Sequence, residues 1–137
     1  MPKFSQESFS KLSTCHIDLQ TLFYDVIKNF DCTVLEGHRN QADQDKAFAD
    51  GKSKLKWPDG KHNSSPSDAI DVSPYPVDWK DSKRFYYFAG YVIGIAQKLR
   101  DEGKITHSIR WGGAWNGLDK LNQGNVLNDL VHFEIIG

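Results

Sequence analysis

An α+β domain, with a small and mostly antiparallel sheet and helices packed around it, is what the sequence predicts. Three observations carry that expectation. Stretches of apolar residues recur near the helical period, four short segments are β-branched or alternate as strands do, and no repeat, low-complexity tract or linker divides the chain. At 137 residues the whole chain, 1–137, is read as one domain, large enough to bury a core without staples.

In chain order, Ile17, Leu19, Leu22, Phe23, Val26, Ile27 and Phe30 mark an amphipathic helix from Cys15 to Phe30, with Thr14 placed to cap it. Thr33 to Leu35 is short and β-branched, a strand that delivers Gly37, His38 and Arg39 at its end. Gln41 to Ala49 is a second helix stopping near Gly51. A polar loop follows to Ser67, and loops of that length in compact domains are often functional. Ala69 to Ser73 is a strand closed by Pro74 and Pro76, and Ser82 to Arg100 a longer helix carrying Phe85, Phe88, Val92 and Leu99 inward. Ile109 to Trp111 opens a third strand, Gly117 to Asn128 is a turn-rich connection, and Leu130 to Ile136 is the last strand.

Charge narrows the partners. With a formal net charge of −1, the chain lacks the broad positive field that tracks phosphate backbones, so no nucleic-acid partner is expected. Lys52, Lys54, Lys56 and Lys61 form one basic stretch, but Pro58, Asp59 and Gly60 interrupt it and mark a solvated loop. Cys15 and Cys32 have no metal or redox spacing and are read as reduced structural thiols. Met1 to Ser13 shows no apolar h-region and no later run is long enough for a membrane span. The expectation is a soluble monomer without an export signal of its own.

Two strands aim chemistry at one place. In Val131-His132-Phe133-Glu134-Ile135 the apolar side chains share one face while His132 and Glu134 share the other. In Ala69 to Ser73, Ile70 and Val72 take one face and Asp71 the opposite one. With His62 from the long loop, they form a set that suits zinc in a hydrolase: three nitrogen and carboxylate donors, with a position left for water. The plain structural reading stands beside this one. A loop histidine is often surface decoration, a strand histidine a hydrogen-bonded partner, and an Asp before Pro a turn former. His16, His38 and His107 stay outside the set.

The segment His62-Asn-Ser-Ser-Pro-Ser-Asp-Ala-Ile-Asp71, with Gly37-His-Arg39 upstream and Asp129-Leu-Val-His132-Phe-Glu134 near the end, resembles the zinc D-Ala-D-Ala and L-alanyl-D-glutamate peptidases. The resemblance runs from about Asp18 to the carboxyl terminus. It is closest to short phage endolysins, which also share the stretch Arg110 to Asn116. It implies the fold of the hedgehog and lysostaphin-like domains, one Zn2+ per chain on His62, Asp71 and His132, Asp129 as catalytic acid/base and Arg39 as substrate contact. One departure is the nine-residue step from His62 to Asp71, longer than is common in the family.

On that resemblance the chain is expected to cut the L-alanyl-D-glutamate bond of the peptidoglycan stem peptide, and to wait in the host cytoplasm until a membrane pore releases it. Asp129 sits three residues before His132, on the wrong face of a regular strand, so it is expected to lie ahead of the strand in the turn-prone segment with Asn125 and Asn128. A structural ion pair to Glu36 or Asp43 is the competing reading of Arg39. The competing functions are a D-Ala-D-Ala carboxypeptidase of the same fold and a non-catalytic zinc-binding domain.

Overall fold

The structure is a computed structural model that describes residues 2–124 and 128–137. Four antiparallel strands, β1 (Cys32–Glu36), β2 (Ala69–Pro74), β3 (Ser108–Gly112) and β4 (Asp129–Ile136), form one sheet in the order β1-β2-β4-β3. The described helices are α1 (Gln6–Leu12), α2 (Ile17–Val26), α3 (Gln41–Ala49) and α4 (Ser82–Asp101), with a single 3-10 turn at Lys61–Asn63. No described helix is long and apolar enough to cross a membrane.

The expected α+β class holds, with differences at the amino end. The polar segment before Thr14 forms α1, where Ser5 caps by accepting from the Ser8 amide and Leu12 is buried. Its short apolar content hides it from periodicity. Thr14 does not cap α2; the His16 Nδ1 does, accepting from the Asp18 amide at 2.9 Å. The helix also ends at Val26, and turns carry the chain on to Phe30. The Gly117 to Asn128 connection contains residues 125–127, so Asn125 lies outside the described residues.

One face of the sheet meets α2 and α4 in a single core. Phe133 of β4 receives Phe23 of α2 and Phe88 of α4 edge-on, with ring centres 5.5 and 6.2 Å away. Ile70 and Val72 of β2 bury on the same side. Alternation then forces Asp71, His132 and Glu134 to the opposite face, and the β2/β4 register sets Asp71 beside His132. Every apolar side chain that anchors these strands therefore also fixes the direction of the polar ones. Cys15 and Cys32 are free and buried, and burial pushes both thiols up to about 12.

A second polar cluster ties the loop between α4 and β3 to the start of α2. The buried Asp18 carboxylate accepts from the Thr106 and His107 amides at 3.0 and 3.1 Å and from His107 Nδ1 at 2.7 Å. Burial opposes the charge on Asp18, but His107 and Thr106 outweigh it and hold the carboxyl below its ordinary range. Asp18→Ala, which strands those donors, should cost about 2–4 kcal/mol in urea unfolding at neutral pH. Because the folded pKa is depressed, that stability is present above the ordinary carboxylate range and fades as pH falls through the folded value. The gap between wild type and variant should accordingly narrow in acid.

Candidate metal centre

His62, Asp71 and His132 come together, the latter two from the strand faces that alternation assigned them, with one donor atom from each within 4.8 Å of the others. His62 Nε2 lies 3.2 Å and His132 Nδ1 3.3 Å from the same oxygen, Asp71 Oδ1. His62 arrives from the 3-10 turn rather than from a strand. The main chain holds it there: Arg39 N donates to the His62 carbonyl at 2.8 Å, and the Asn63 side chain donates to the Arg39 carbonyl at 3.1 Å. The nine-residue step to Asp71 closes because the Ser67 amide bonds to Thr14 O and the Asp68 amide to Lys61 O.

Both imidazoles are fixed by what their other nitrogen does. His62 Nδ1 donates to the Gly37 carbonyl at 2.8 Å, leaving Nε2 proton-free in the neutral ring. A Cβ on Gly37 would fall on Thr14 Oγ1 and the Lys11 carbonyl, so only glycine lets that carbonyl approach. In His132 the roles of the two nitrogens are reversed. Its Nε2 donates to Glu134 Oε1 at 2.7 Å, and Nδ1 faces Asp71. Arg110, directly across the strand pair from Glu134, holds the other carboxylate oxygen at 2.6 Å. Two imidazole nitrogens, each turned inward by an outer partner, and a carboxylate oxygen match the donor chemistry of a zinc site.

Electrostatics agrees with the geometry. Burial disfavours the Asp71 charge, but the two imidazoles hold its carboxyl well below the usual carboxylate range. Burial also opposes a charged His132, yet hydrogen bonds to Asp71 and Glu134 push it up to about 10. Glu134, desolvated but paired with His132 and Arg110, falls to about 2. The Asp71 charge is thus balanced by the two imidazoles that face it.

Asp129 reaches this face, though not from ahead of the strand. It is the first residue of β4, and the pairing slips there: Trp111 faces Phe133, while the next residue, Gly112, faces Asp129. That irregularity breaks the two-residue alternation and brings Asp129 Oδ2 to 3.8 Å from His132 Nδ1. A side chain at Gly112 would collide with the Asp129 carbonyl, so glycine permits the slip. Burial and the neighbouring Asp71 carboxylate raise the Asp129 pKa.

Arg39 forms the ion pair that the structural reading expected: Nε and Nη2 grip Glu36 at 2.7 and 2.8 Å, and Nη1 donates to Gln44 at 3.0 Å. It also stands 4.0 Å from Asp71 Oδ2. Three of its five N–H donors are used, so one on each terminal nitrogen is left for a ligand. A cleft of about 390 Å³ opens between Arg39, Asp129 and His132, with Lys52, Lys54 and Lys61 on its wall. The basic stretch read as a solvated loop therefore borders the site. Sequence reasoning missed the supporting roles of Gly37, Gln44 and Arg110; the face shared by His132 and Glu134 was the available signal for that part.

His16, Asp18 and His107 are the other such group among the described residues. It is built differently. His16 Nδ1 accepts a hydrogen bond, so its proton sits on Nε2, and Asp18 Oδ2 is taken up by Thr106 and His107. That chemistry serves the fold and leaves few free donor atoms.

Fold and donor set define the class: an antiparallel α+β domain with a candidate metal centre of two histidines and one aspartate beside a cleft. The sequence model of the phage L-alanyl-D-glutamate peptidases matches residues 1–136, and the chain belongs to that family. An L-alanyl-D-glutamate peptidase of Escherichia phage T5 is 28% identical over 144 residues, covering 98% of both chains. The crystal structure of the Serratia marcescens L-Ala D-Glu endopeptidase ChiX shares the fold, with a TM-score of 0.71 at 21% identity over 98% of this chain and 90% of that one. All three names specify the L-alanyl-D-glutamate bond, and none the D-Ala-D-Ala bond of the alternative.

Glu134→Gln tests the outer support. Weakening the acceptor on His132 Nε2 should cost about 10–100-fold in zinc affinity, measured by chelator competition. Unchanged affinity would detach Glu134 from the centre.

Proposed function

We propose that the chain is a zinc-dependent endopeptidase that hydrolyses the L-alanyl-D-glutamate bond of the peptidoglycan stem peptide, with one zinc on His62 Nε2, Asp71 Oδ1 and His132 Nδ1. The observation that carries this reading is the convergence of those three atoms, with His62 Nδ1 and His132 Nε2 each engaged by an acceptor on the outer side. A bound zinc supplies Lewis acidity toward a carbonyl oxygen and toward water. The remaining work falls to the protein's own groups.

Asp129 is the acid/base in this proposal. Its carboxylate stands at the rim of the centre, within reach of a water there, and its raised pKa suits a group that takes a proton and returns it to the leaving amine. Glu134 is unsuited to that role because both of its oxygens are committed to His132 and Arg110. Arg39 would direct its two remaining N–H groups at the substrate's carbonyl or carboxylate, with Glu36 and Gln44 holding the fork in place.

The experiment is bond mapping: zinc-loaded protein is incubated with purified peptidoglycan and the new termini are identified by mass spectrometry. New carboxyl-terminal L-Ala and amino-terminal D-Glu support the proposal; release of terminal D-Ala alone, or no release, contradicts it. Asp129→Ala should keep zinc and fold yet lose roughly 10²–10⁴-fold in rate. Loss of zinc would recast Asp129 as a ligand. Arg39→Lys should also keep zinc and lose activity, since a point charge cannot reproduce the fork, and unchanged kinetics would assign Arg39 to Glu36 alone. As a phage lysin the protein is proposed to stay in the host cytoplasm until a pore releases it. Expression alone should leave cells intact, and permeabilising the inner membrane should start lysis.

A further inference from the structure

A second and larger cavity, about 1090 Å³, lies between α4 and the edge strand β3. Its character differs from that of the lysine-lined cleft. Tyr86, Ile93, Trp111 and Trp115 supply aromatic and aliphatic walls, and Gly90 and Gly94 leave an open floor on α4 where an added Cβ would meet nothing within 4 Å. On the far lip Leu118 and Leu121 are 68% and 57% exposed. Apolar side chains left in water along a cavity of this size mark a ligand surface.

The cavity adjoins the cleft of the candidate metal centre. Arg110 and Trp115 line both spaces, and the Arg110 guanidinium lies over the Trp115 ring at 5.5 Å. Among the described residues a cleft with cationic walls therefore holds the centre, and an aromatic groove lies beside it across Arg110 and Trp115. The substrate of the proposed reaction is asymmetric in the same way. On the carboxyl side of the scissile bond, D-Glu bears a free carboxylate, which suits Lys52, Lys54, Lys61 and Arg39. On the amino side a single L-Ala separates the bond from the sugar, whose lactyl carboxyl is consumed in the amide and carries no charge. One residue spans at most about 3.6 Å, so the sugar must lie close to the centre.

We propose that the groove between α4 and β3 binds the N-acetylated glycan to which the stem peptide is attached. This inference rests on the peptidase reading for the direction of the substrate. The C–H face of a pyranose ring, carrying slight positive charge, meets the negative face of an indole or phenol ring, and the acetamido methyl fits an apolar floor. Arg110, Ser108 and Gln97 stand along the groove as polar partners for hydroxyl and amide groups.

The test uses the zinc-loaded protein and a disaccharide of N-acetylglucosamine and N-acetylmuramic acid that carries no peptide. In heteronuclear NMR the disaccharide should shift the Trp115 and Trp111 indole signals and the Gly94 amide, while Trp79, which lines neither space, stays in place. Gly94→Phe, which fills the floor, should remove the shifts. No shifts at millimolar sugar, or shifts confined to the Lys52 to Lys61 loop, would overturn the proposal. As a second readout, sugar-bearing stem peptide should be cleaved with a kcat/KM about tenfold above that of the free peptide, and Gly94→Phe should bring the ratio near one. Equal wild-type rates on the two substrates would contradict it. The two readings fail separately: cleavage of free peptide without disaccharide shifts overturns the groove alone, and disaccharide shifts without any cleavage overturn the peptidase alone.

Discussion

Asp71 carries a negative charge on a largely buried strand, and the arrangement around it follows from the need to satisfy that charge. A carboxylate removed from water must be paired or bound to a cation. Here it is met by His62 Nε2 at 3.2 Å and His132 Nδ1 at 3.3 Å, both on one oxygen. Each ring is turned by an acceptor on its far side, the Gly37 carbonyl for one and Glu134 for the other. Two imidazole nitrogens facing one carboxylate oxygen at these distances satisfy its charge through shared protons, and they are the donor set that the proposed function gives to a zinc ion.

Supports for this centre extend in two directions. Toward β3, Glu134 leans on Arg110 and Arg110 on Trp115, which also borders the aromatic groove. Toward β1, His62 leans on Gly37 and on the main chain of Arg39, whose side chain is gripped by Glu36. The sheet order places β2 and β4, which carry Asp71 and His132, side by side in the centre, and the outer strands supply the holders. The core beneath, where Phe23 and Phe88 meet Phe133, anchors the strand that carries both His132 and Glu134.

Much of this was legible in the sequence because strand alternation is a strict rule. One buried face containing Ile70, Val72, Val131, Phe133 and Ile135 leaves Asp71, His132 and Glu134 no choice of side. What periodicity could not show depends on irregular backbone. The slip at Gly112 that rescues Asp129 from the wrong face is a tertiary pairing event, as is the closure of the loop that delivers His62. Likewise α1 is short and mostly polar, and its existence depends on packing against β1 more than on its own pattern. His16 displaced Thr14 as the cap of α2 because the Thr14 hydroxyl donates to Lys11 O and accepts from the His38 amide instead.

The proposed centre holds one zinc between Nε2 of His62 and Nδ1 of His132. Diffraction from zinc-loaded crystals, recorded on both sides of the zinc absorption edge, tests it most directly. The expected result is a single anomalous peak per chain, at about 2.0–2.2 Å from His62 Nε2, His132 Nδ1 and an Asp71 oxygen, with Asp129 beside it but uncoordinated. A peak on His132 Nε2, a peak only at His16, Asp18 and His107, or no peak under saturating zinc would contradict it.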